Sequence, residues 1–539
     1  MHSRKTTAPS PTAEYIPYAD TGFFSRMVID YLQQDKSLRN FYRYEPDLAG
    51  IRQAIEDRQR YHYDRDGLVN ALSTQYEGLT TTDAVRQNIE LLKRDSCFAI
   101  TTAHQPNIFT GPLYFVYKII HAIKLAEYLK QQLPENDFVP VFFMGSEDAD
   151  LDELGHCVVD SKRYEWKTRQ QGAVGRMKVD KAFVSLLDEL AGQLQVLPYG
   201  EAIIRIFRDC YQPGESIQQA TLRLVNHLFG DFGLVVLVPD NPALKAIFQP
   251  VIEKELKEQF SHTAVAGSID QLGERYKVQA GGRELNLFYL IDDKRERIGR
   301  YGDVYRVNGM DRTFTETEIL AEATAHPERF SPNVILRGVF QEMILPGIAF
   351  IGGGGEIAYW LELKRVFEAV QVPFPVLLLR NSFLLMTTDQ HEILNSLGFQ
   401  SVDLFQPADI LMNRLTKAQS SNRLSLSEEI GELNSFYQQL HETAKQVDQS
   451  LAEHVNALQA KALKPVAELE KKMLRAEKRK FETANRKIVQ LKHQCFPGEG
   501  LQERVENIAG FYARFGKEIL YRLYEHSPAL EQHFTVLTL

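Results

Sequence analysis

Hydrophobic and polar positions follow three successive patterns along the chain. In residues 1–95, aromatic positions (Phe23, Phe24, Phe41, Tyr42, Tyr44, Tyr61, Tyr63) interleave with polar ones, ending in an amphipathic stretch at Asp83 to Lys93, which predicts a helical segment packed on a core. From Cys97 the pattern changes to short apolar runs, each followed by a loop and a helix. Cys97 to Thr102 and Phe138 to Met144 read as strands on either side of a helix at Pro112 to Leu129, a β-α-β unit that requires parallel strands. Leu234 to Val238 repeats the signal, and Asn241-Pro242 then opens a helix through Leu256 with an N-cap side chain and a first-turn proline. Ile348 to Ile351, a glycine loop at Gly352 to Gly355, a helix from Glu356 to Val370 and a strand at Val376 to Leu379 repeat it again. Units of this kind predict an α/β fold with a doubly wound, mostly parallel sheet.

Two stretches depart from that pattern. Leu285 to Ile291 and Tyr301 to Val307 read as strands around a charged turn, Asp292 to Arg295, in an inserted connecting or substrate module. From Leu426, Ile430, Leu433, Tyr437, Leu440, Ala444, Val447 and Leu451 step by three and four, a coiled-coil seam. Pro465 predicts a turn or kink before a second helix that carries Leu474, Phe481, Ala484, Ile488 and Leu491 and ends before Pro497-Gly498. The expected organisation is a helical segment at 1–95, core at 96–260, insert at 261–330, core again at 331–424, coil at 425–495 and a segment returning to the core at 496–539.

Composition narrows the function classes. With 539 residues and 44% apolar content, the chain is expected to form more than one unit, at least one with a large core. A net charge of −9, with acids and bases intermixed, gives no electrostatic footprint for nucleic acid. Cys97, Cys157, Cys210 and Cys495 lie far apart, as in an unbridged protein of a reducing compartment. Met1 to Pro11 is polar and no run of about 18 apolar residues occurs, so a cytoplasmic protein without membrane spans is expected.

In an open parallel sheet, ligands bind where the β-to-α loops gather, which directs attention to three loops. Thr102 to Pro112 carries His104, Gln105, Asn107 and Gly111: donors and acceptors ahead of a helix N-terminus suited to an anion. Gly145 to Glu153 packs five acids into seven positions, among them Glu147, Asp148 and Asp150, with His156 close behind; such density suits an amine, a metal or a carboxylate base. The spacing matches no closed zinc motif, and no metal is assigned. Gly352 to Gly355, with Glu356 and Tyr359 after it, leaves backbone bare for a ligand, and Arg337 before it suits an anion. The loop is neither a Walker A motif nor G-x-G-x-x-G, and no G-x-S-x-G or H-E-x-x-H occurs.

At these loops the chain resembles the BshC family of bacillithiol synthesis, the cysteine ligases. The segments that carry the resemblance are TTAHQPNIFTGPLYFVYKIIHAIKLA, FFMGSEDADLDELGH, SPNVILRGVFQEMILPGIAFIGGGGEIAYW with PVLLLRNSF, LEKKMLRAEKRK and GLQERVENIAGFYARFG, in order over nearly the whole chain. Two positions differ: the family commonly has histidine where this chain has Ala149, and proline where it has Gly354. The resemblance implies a Rossmann-like core with inserted segments, a C-terminal coiled coil supporting a homodimer, and an amide formed between L-cysteine and the glucosamine amine of glucosaminyl-malate. The candidate catalytic residues are His104, Glu147, Asp148 and Asp150, and Lys118 and Asn381 join the binding residues Gln105, Asn107, Gly111, His156, Arg337, Gly353, Gly355, Glu356 and Tyr359. The cofactor is left open; ATP would activate the carboxyl, without a Walker A motif to hold it. Two other classes fit the loops and the coil: a nucleotidyltransferase-like enzyme and a non-catalytic coiled-coil assembly protein.

Overall fold

The computed structural model describes residues 12–539, so the Met1 to Pro11 stretch lies outside the described residues. The chain forms two units, one of residues 15–384 with 501–537, the other of residues 385–500 with short terminal pieces.

The larger unit is built on a parallel sheet. Its strands are β1 (Cys97–His104), β2 (Asp137–Met144), β3 (Val235–Leu237), β4 (Gly347–Gly352) and β5 (Val376–Leu379), in spatial order 5-4-1-2-3. All four pairings are parallel, and the helix α1 (Tyr114–Gln132) makes the crossover from β1 to β2. The strand order reverses at β1, between β2 on one side and β4 on the other, the point where open α/β sheets form a ligand crevice. Apart from His104 and Asp137 at two strand ends, these strands are buried, as their continuous apolar runs require. Ile51, Ala54 and Ile55 of an N-terminal helix join Phe98, Ile100, Leu125 and Leu129 in one apolar cluster under the sheet.

Register decides which side chains meet at the sheet edge. His104 pairs with Met144, and the Gly145 N–H donates to the His104 carbonyl at 2.7 Å. Thr102 pairs with Ile351, its hydroxyl donating to the Ile351 carbonyl at 2.9 Å, and the Arg380 N–H donates to the Gly352 carbonyl at 2.8 Å. Four loops thus leave the sheet side by side.

The insert is an antiparallel sheet of Leu287–Ile291, Lys294–Tyr301, Val304–Val307, Thr313–Thr315 and Phe330–Pro332. The charged turn expected at Asp292 to Arg295 is shorter than the sequence suggested. Only Asp292 and Asp293 turn, with Asp292 at φ 51°, and Lys294 already starts a strand. That strand escapes hydrophobic pattern reading because Ile298 is its one buried residue.

In the smaller unit, Ser427–Val447 and Gln449–Lys478 are two packed helices, followed by Glu482–Cys495. The break expected at Pro465 is instead at Asp448, whose extended backbone (φ −158°, ψ 134°) ends one helix while its carboxylate caps the next at Ser450 N. Pro465 lies inside the second helix at an exposed position, where the carbonyl its missing N–H leaves free faces solvent instead of a buried core. Among the described residues, no helix is long and apolar enough to cross a membrane.

Candidate functional site

A cavity of about 700 Å³ lies at the carboxyl edge of the parallel sheet. His104, Gln105 and Lys118 reach it from the first loop and its helix, Glu147 and Asp148 from the second, and Gly353, Gly355, Glu356 and Tyr359 from the third, with Arg337 beside them.

His104 ends β1 with its ring against Tyr114 and Phe115, centroids 5.2 and 5.6 Å away. Its Nε2 is buried without a hydrogen-bond partner among the described residues, a polar atom that a ligand would satisfy. Burial, then the charges of Lys118, Arg380 and Arg337, push its pKa well below the ordinary histidine value. The imidazole is therefore neutral near pH 7 and acts as a hydrogen-bonding group, not as a fixed cation.

The third loop differs from its sequence reading. Gly352 ends β4, Gly353 is the N-cap, and Gly354 and Gly355 form the first turn of a helix, Gly354–Ala369. None of the four has a positive φ, so conformational freedom is not what they supply. What they supply is room: a Cβ at Gly355 would meet nothing within 4 Å, and the helix N-terminus is left bare for an anion. The Gly353 N–H donates to Glu356 Oε2 at 2.8 Å, and Lys118 pairs with the same oxygen while donating to the Ala103 carbonyl at 3.0 Å.

In the acidic loop, Glu147 accepts from Ser331 Oγ at 2.9 Å and pairs with Lys245, which also donates to the carbonyls of Glu328 and Phe330. Asp148 accepts from Gln105 Nε2 at 3.1 Å and from the Asp150 N–H at 3.2 Å.

Five expected site residues do not line the cavity. Asp150 is spent on capping a short helix, accepting from the Glu153 N–H at 3.0 Å. His156 joins a hairpin and bonds the Asp152 carbonyl. Asn381 Nδ2 donates to Ser527 Oγ and the Pro528 carbonyl, 2.6 and 2.7 Å away. Asn107 and Gly111 shape the loop: Phe109, Thr110 and Gly111 all have positive φ, and a Cβ on Gly111 would come within 2.7 Å of Asn107 Cβ. That strained turn is held by Asn507, whose Nδ2 donates to the carbonyls of Phe109 and Gly111.

Sequence reading missed most of the cations. Arg283, Arg295 and Arg297 come from the insert and its approach, Arg380 from the end of β5 and Arg504 from the C-terminal segment. Arg380 makes two bonds to Glu503, while Arg283, Arg295, Arg297, Arg337 and Arg504 have no carboxylate partner among the described residues. Arg295 stacks on Phe288, 3.9 Å from its centroid, and donates to Ser331 Oγ. Three of these cations lie in stretches the sequence marks, Arg295 in the charged turn, Arg380 in PVLLLRNSF and Arg504 in GLQERVENIAGFYARFG, but local pattern assigns none of them to the site. Glu153, in the acidic loop but not singled out there, also lines the cavity. Among the described residues, no group of three His, Cys, Asp or Glu side chains is placed to hold a metal ion.

Comparison with known proteins places this geometry in context. A family model described as "Bacillithiol biosynthesis BshC, N-terminal Rossmann-like domain" matches residues 12–381, and "Bacillithiol biosynthesis BshC, C-terminal coiled-coil domain" matches residues 383–539. A protein of Flavobacterium johnsoniae named "Putative cysteine ligase BshC" is 39% identical over 526 residues, 97% of this chain and 99% of its own. Proteins of the same name from Flavobacterium psychrophilum (38% identical, 97% of this chain, 98% of its own) and Salinibacter ruber (29%, 97% and 96%) are similar over the same extent.

Proposed function

The chain belongs to the BshC family of bacillithiol biosynthesis, a Rossmann-like ligase with a C-terminal coiled coil, and we propose that it joins the carboxyl of L-cysteine to the glucosamine amine of glucosaminyl-malate. The observation that carries this reading is the division of charge in the cavity. Arginines without carboxylate partners, Arg295, Arg297 and Arg337, line it together with the acids Glu147, Asp148 and Glu153. A substrate with two carboxylates and an amine matches both kinds of lining, because unpaired arginines bind carboxylates in a fork and acids hold an ammonium.

In this reading the neutral His104 Nε2 and the bare N-terminus at Gly355 take oxygens of the reacting carboxyl, and Asp148, oriented by Gln105, holds an ammonium. Glu147, with both oxygens engaged, keeps Lys245 and Ser331 in place. Amide formation from a free carboxylate runs uphill in water, so the reading includes an activating co-substrate, ATP being the simplest.

The coil is read as the contact of a homodimer. Phe436, Leu440, Leu451, Leu458 and Leu469 are 39–53% exposed along its two packed helices, an apolar stripe that a second copy would cover. A cytoplasmic setting agrees with four buried, unbridged cysteines.

The test is to incubate the purified protein with L-cysteine and glucosaminyl-malate, with and without ATP, and to follow products by mass spectrometry. The expected product is the cysteinyl amide; its absence with ATP present would remove the substrate assignment. Deleting the gene should make glucosaminyl-malate accumulate.

A further inference from the structure

The cavity holds four carboxylates, and they are not equivalent. Glu147 is tied to Lys245 and Ser331, Asp148 accepts from Gln105 and the Asp150 N–H, and Glu356 pairs with Lys118. Glu153 differs: it is solvent-exposed, lines the cavity, and its carboxylate has no hydrogen bond or ion pair among the described residues. Its backbone is fixed all the same, the N–H donating to the Asp150 cap at 3.0 Å, so the side chain starts from a defined place. It lies close enough to Tyr114 for its charge to be the main cause, after burial, of that phenol's pKa rising to about 12. The Tyr114 ring in turn touches His104 and lies under Arg380.

We propose that Glu153 is the general base of the reaction, taking the proton from the amine nitrogen before it is acylated. This rests on the substrate reading above. Partial loss of hydration, then the charges of Asp150 and Asp148, raise the Glu153 pKa, which makes it a better proton acceptor near neutrality than an ordinary surface glutamate.

The step balances as follows. An ammonium N–H gives its proton to Glu153, and the freed lone pair forms the C–N bond to an acyl carbon activated as an acyl phosphate or acyl adenylate. The acyl C–O bond breaks and its electron pair leaves on phosphate or AMP. Glu153, being exposed, passes that proton to water, and the newly acylated nitrogen, now strongly acidic, loses its second proton to water directly. Glu147 and Asp148 have both oxygens engaged, and Glu356 is held by Lys118 and the Gly353 N–H through Oε2.

The experiment compares the full-length wild type with Glu153→Gln and with Asp152→Asn as a neighbouring control. In amide formation, Glu153→Gln should lower kcat/KM by at least ~10²-fold and should move the acidic limb of the pH profile up to the ionisation of the free sugar amine, with KM for L-cysteine unchanged. Asp152→Asn should behave as wild type. Replacing the sugar amine by hydroxylamine, which needs no deprotonation at about pH 7, should restore Glu153→Gln to the wild-type rate of hydroxamate formation. Near-normal turnover in Glu153→Gln, an acidic limb that stays where the wild type has it, or an equal loss with hydroxylamine would each overturn the assignment. A wild type that makes hydroxamate but no sugar amide would point to a different amine substrate; one that makes neither would remove the ligase reading and the base with it.

Discussion

The guanidinium of Arg380 grips the carboxylate of Glu503 through two bonds, 2.7 and 2.9 Å long, between residues 123 positions apart. Both side chains are at most 4% exposed. Burying either charge alone is expensive, so Glu503→Gln should lower stability by about 3–5 kcal/mol, read as a drop in thermal midpoint. The double variant Arg380→Met/Glu503→Leu should recover most of that loss and still lack normal activity, because Arg380 lines the cavity. A Glu503→Gln midpoint equal to wild type would mean the pair contributes nothing.

Gly355 gives a case in which stability and activity separate. It is in the first turn of a helix with open space where a Cβ would stand. Gly355→Ala should leave the thermal midpoint unchanged or raise it, by up to about 1 kcal/mol of helix propensity, while the methyl group over the helix N-terminus raises KM by at least ~10-fold. Unchanged KM would show that no ligand approaches this turn.

His121 makes stability depend on pH. It is fully buried; its Nδ1 accepts from the Asn381 N–H and its Nε2 donates to the Ala529 carbonyl at 2.9 Å, and burial pushes its pKa down to about 4. Between pH 6.5, its ordinary value, and about 4, the unfolded chain carries a proton there that the folded chain does not. Stability is therefore fully present above pH 6.5 and falls as pH drops through this window, by up to about 1.4 kcal/mol per pH unit from this one group. His104 acts in the same direction. Thermal midpoints measured from pH 7 to about 4 should fall less steeply in His121→Gln than in wild type; parallel curves would exclude His121 as a cause.

The exposed stripe of the coil predicts an oligomeric state. Phe436→Glu combined with Leu469→Glu should convert a dimer to a folded monomer in light scattering, since both side chains are about half exposed in the single chain. A dimer that persists in this variant would place the contact elsewhere.

What could be read from the sequence was whatever depends on local pattern. The β-α-β units, the N-cap at Asn241 and the order of the three loops follow from apolar runs and caps a few residues apart. His104, Asp148 and Glu356 reach one cavity because parallel register brings their strand ends together, which the β-α-β pattern already requires. Partner choice was not legible. Whether Glu147 or Glu153 keeps a free carboxylate depends on Lys245 and Ser331, residues 98 and 184 positions away from Glu147. Arg297 sits on a strand of alternating charge that resembles any solvated ribbon until its cavity face is known. Pro465 misled because proline in an exposed helix is tolerated, whereas Asp448, an unremarkable residue in the seam, makes the turn.

The segment that carries Glu503, Arg504 and Asn507 also sets the order in which the site comes into being. Asn507 clasps the strained Phe109 to Gly111 turn and Glu503 neutralises Arg380, yet both are synthesised after the whole of residues 385–500. At roughly 5–20 residues per second, the 123 positions between Arg380 and Glu503 take a ribosome on the order of 6–25 s. A sheet that folds within that interval would carry an unpaired arginine and an unclasped loop, so the pocket is completed only once residues 503–507 have been made.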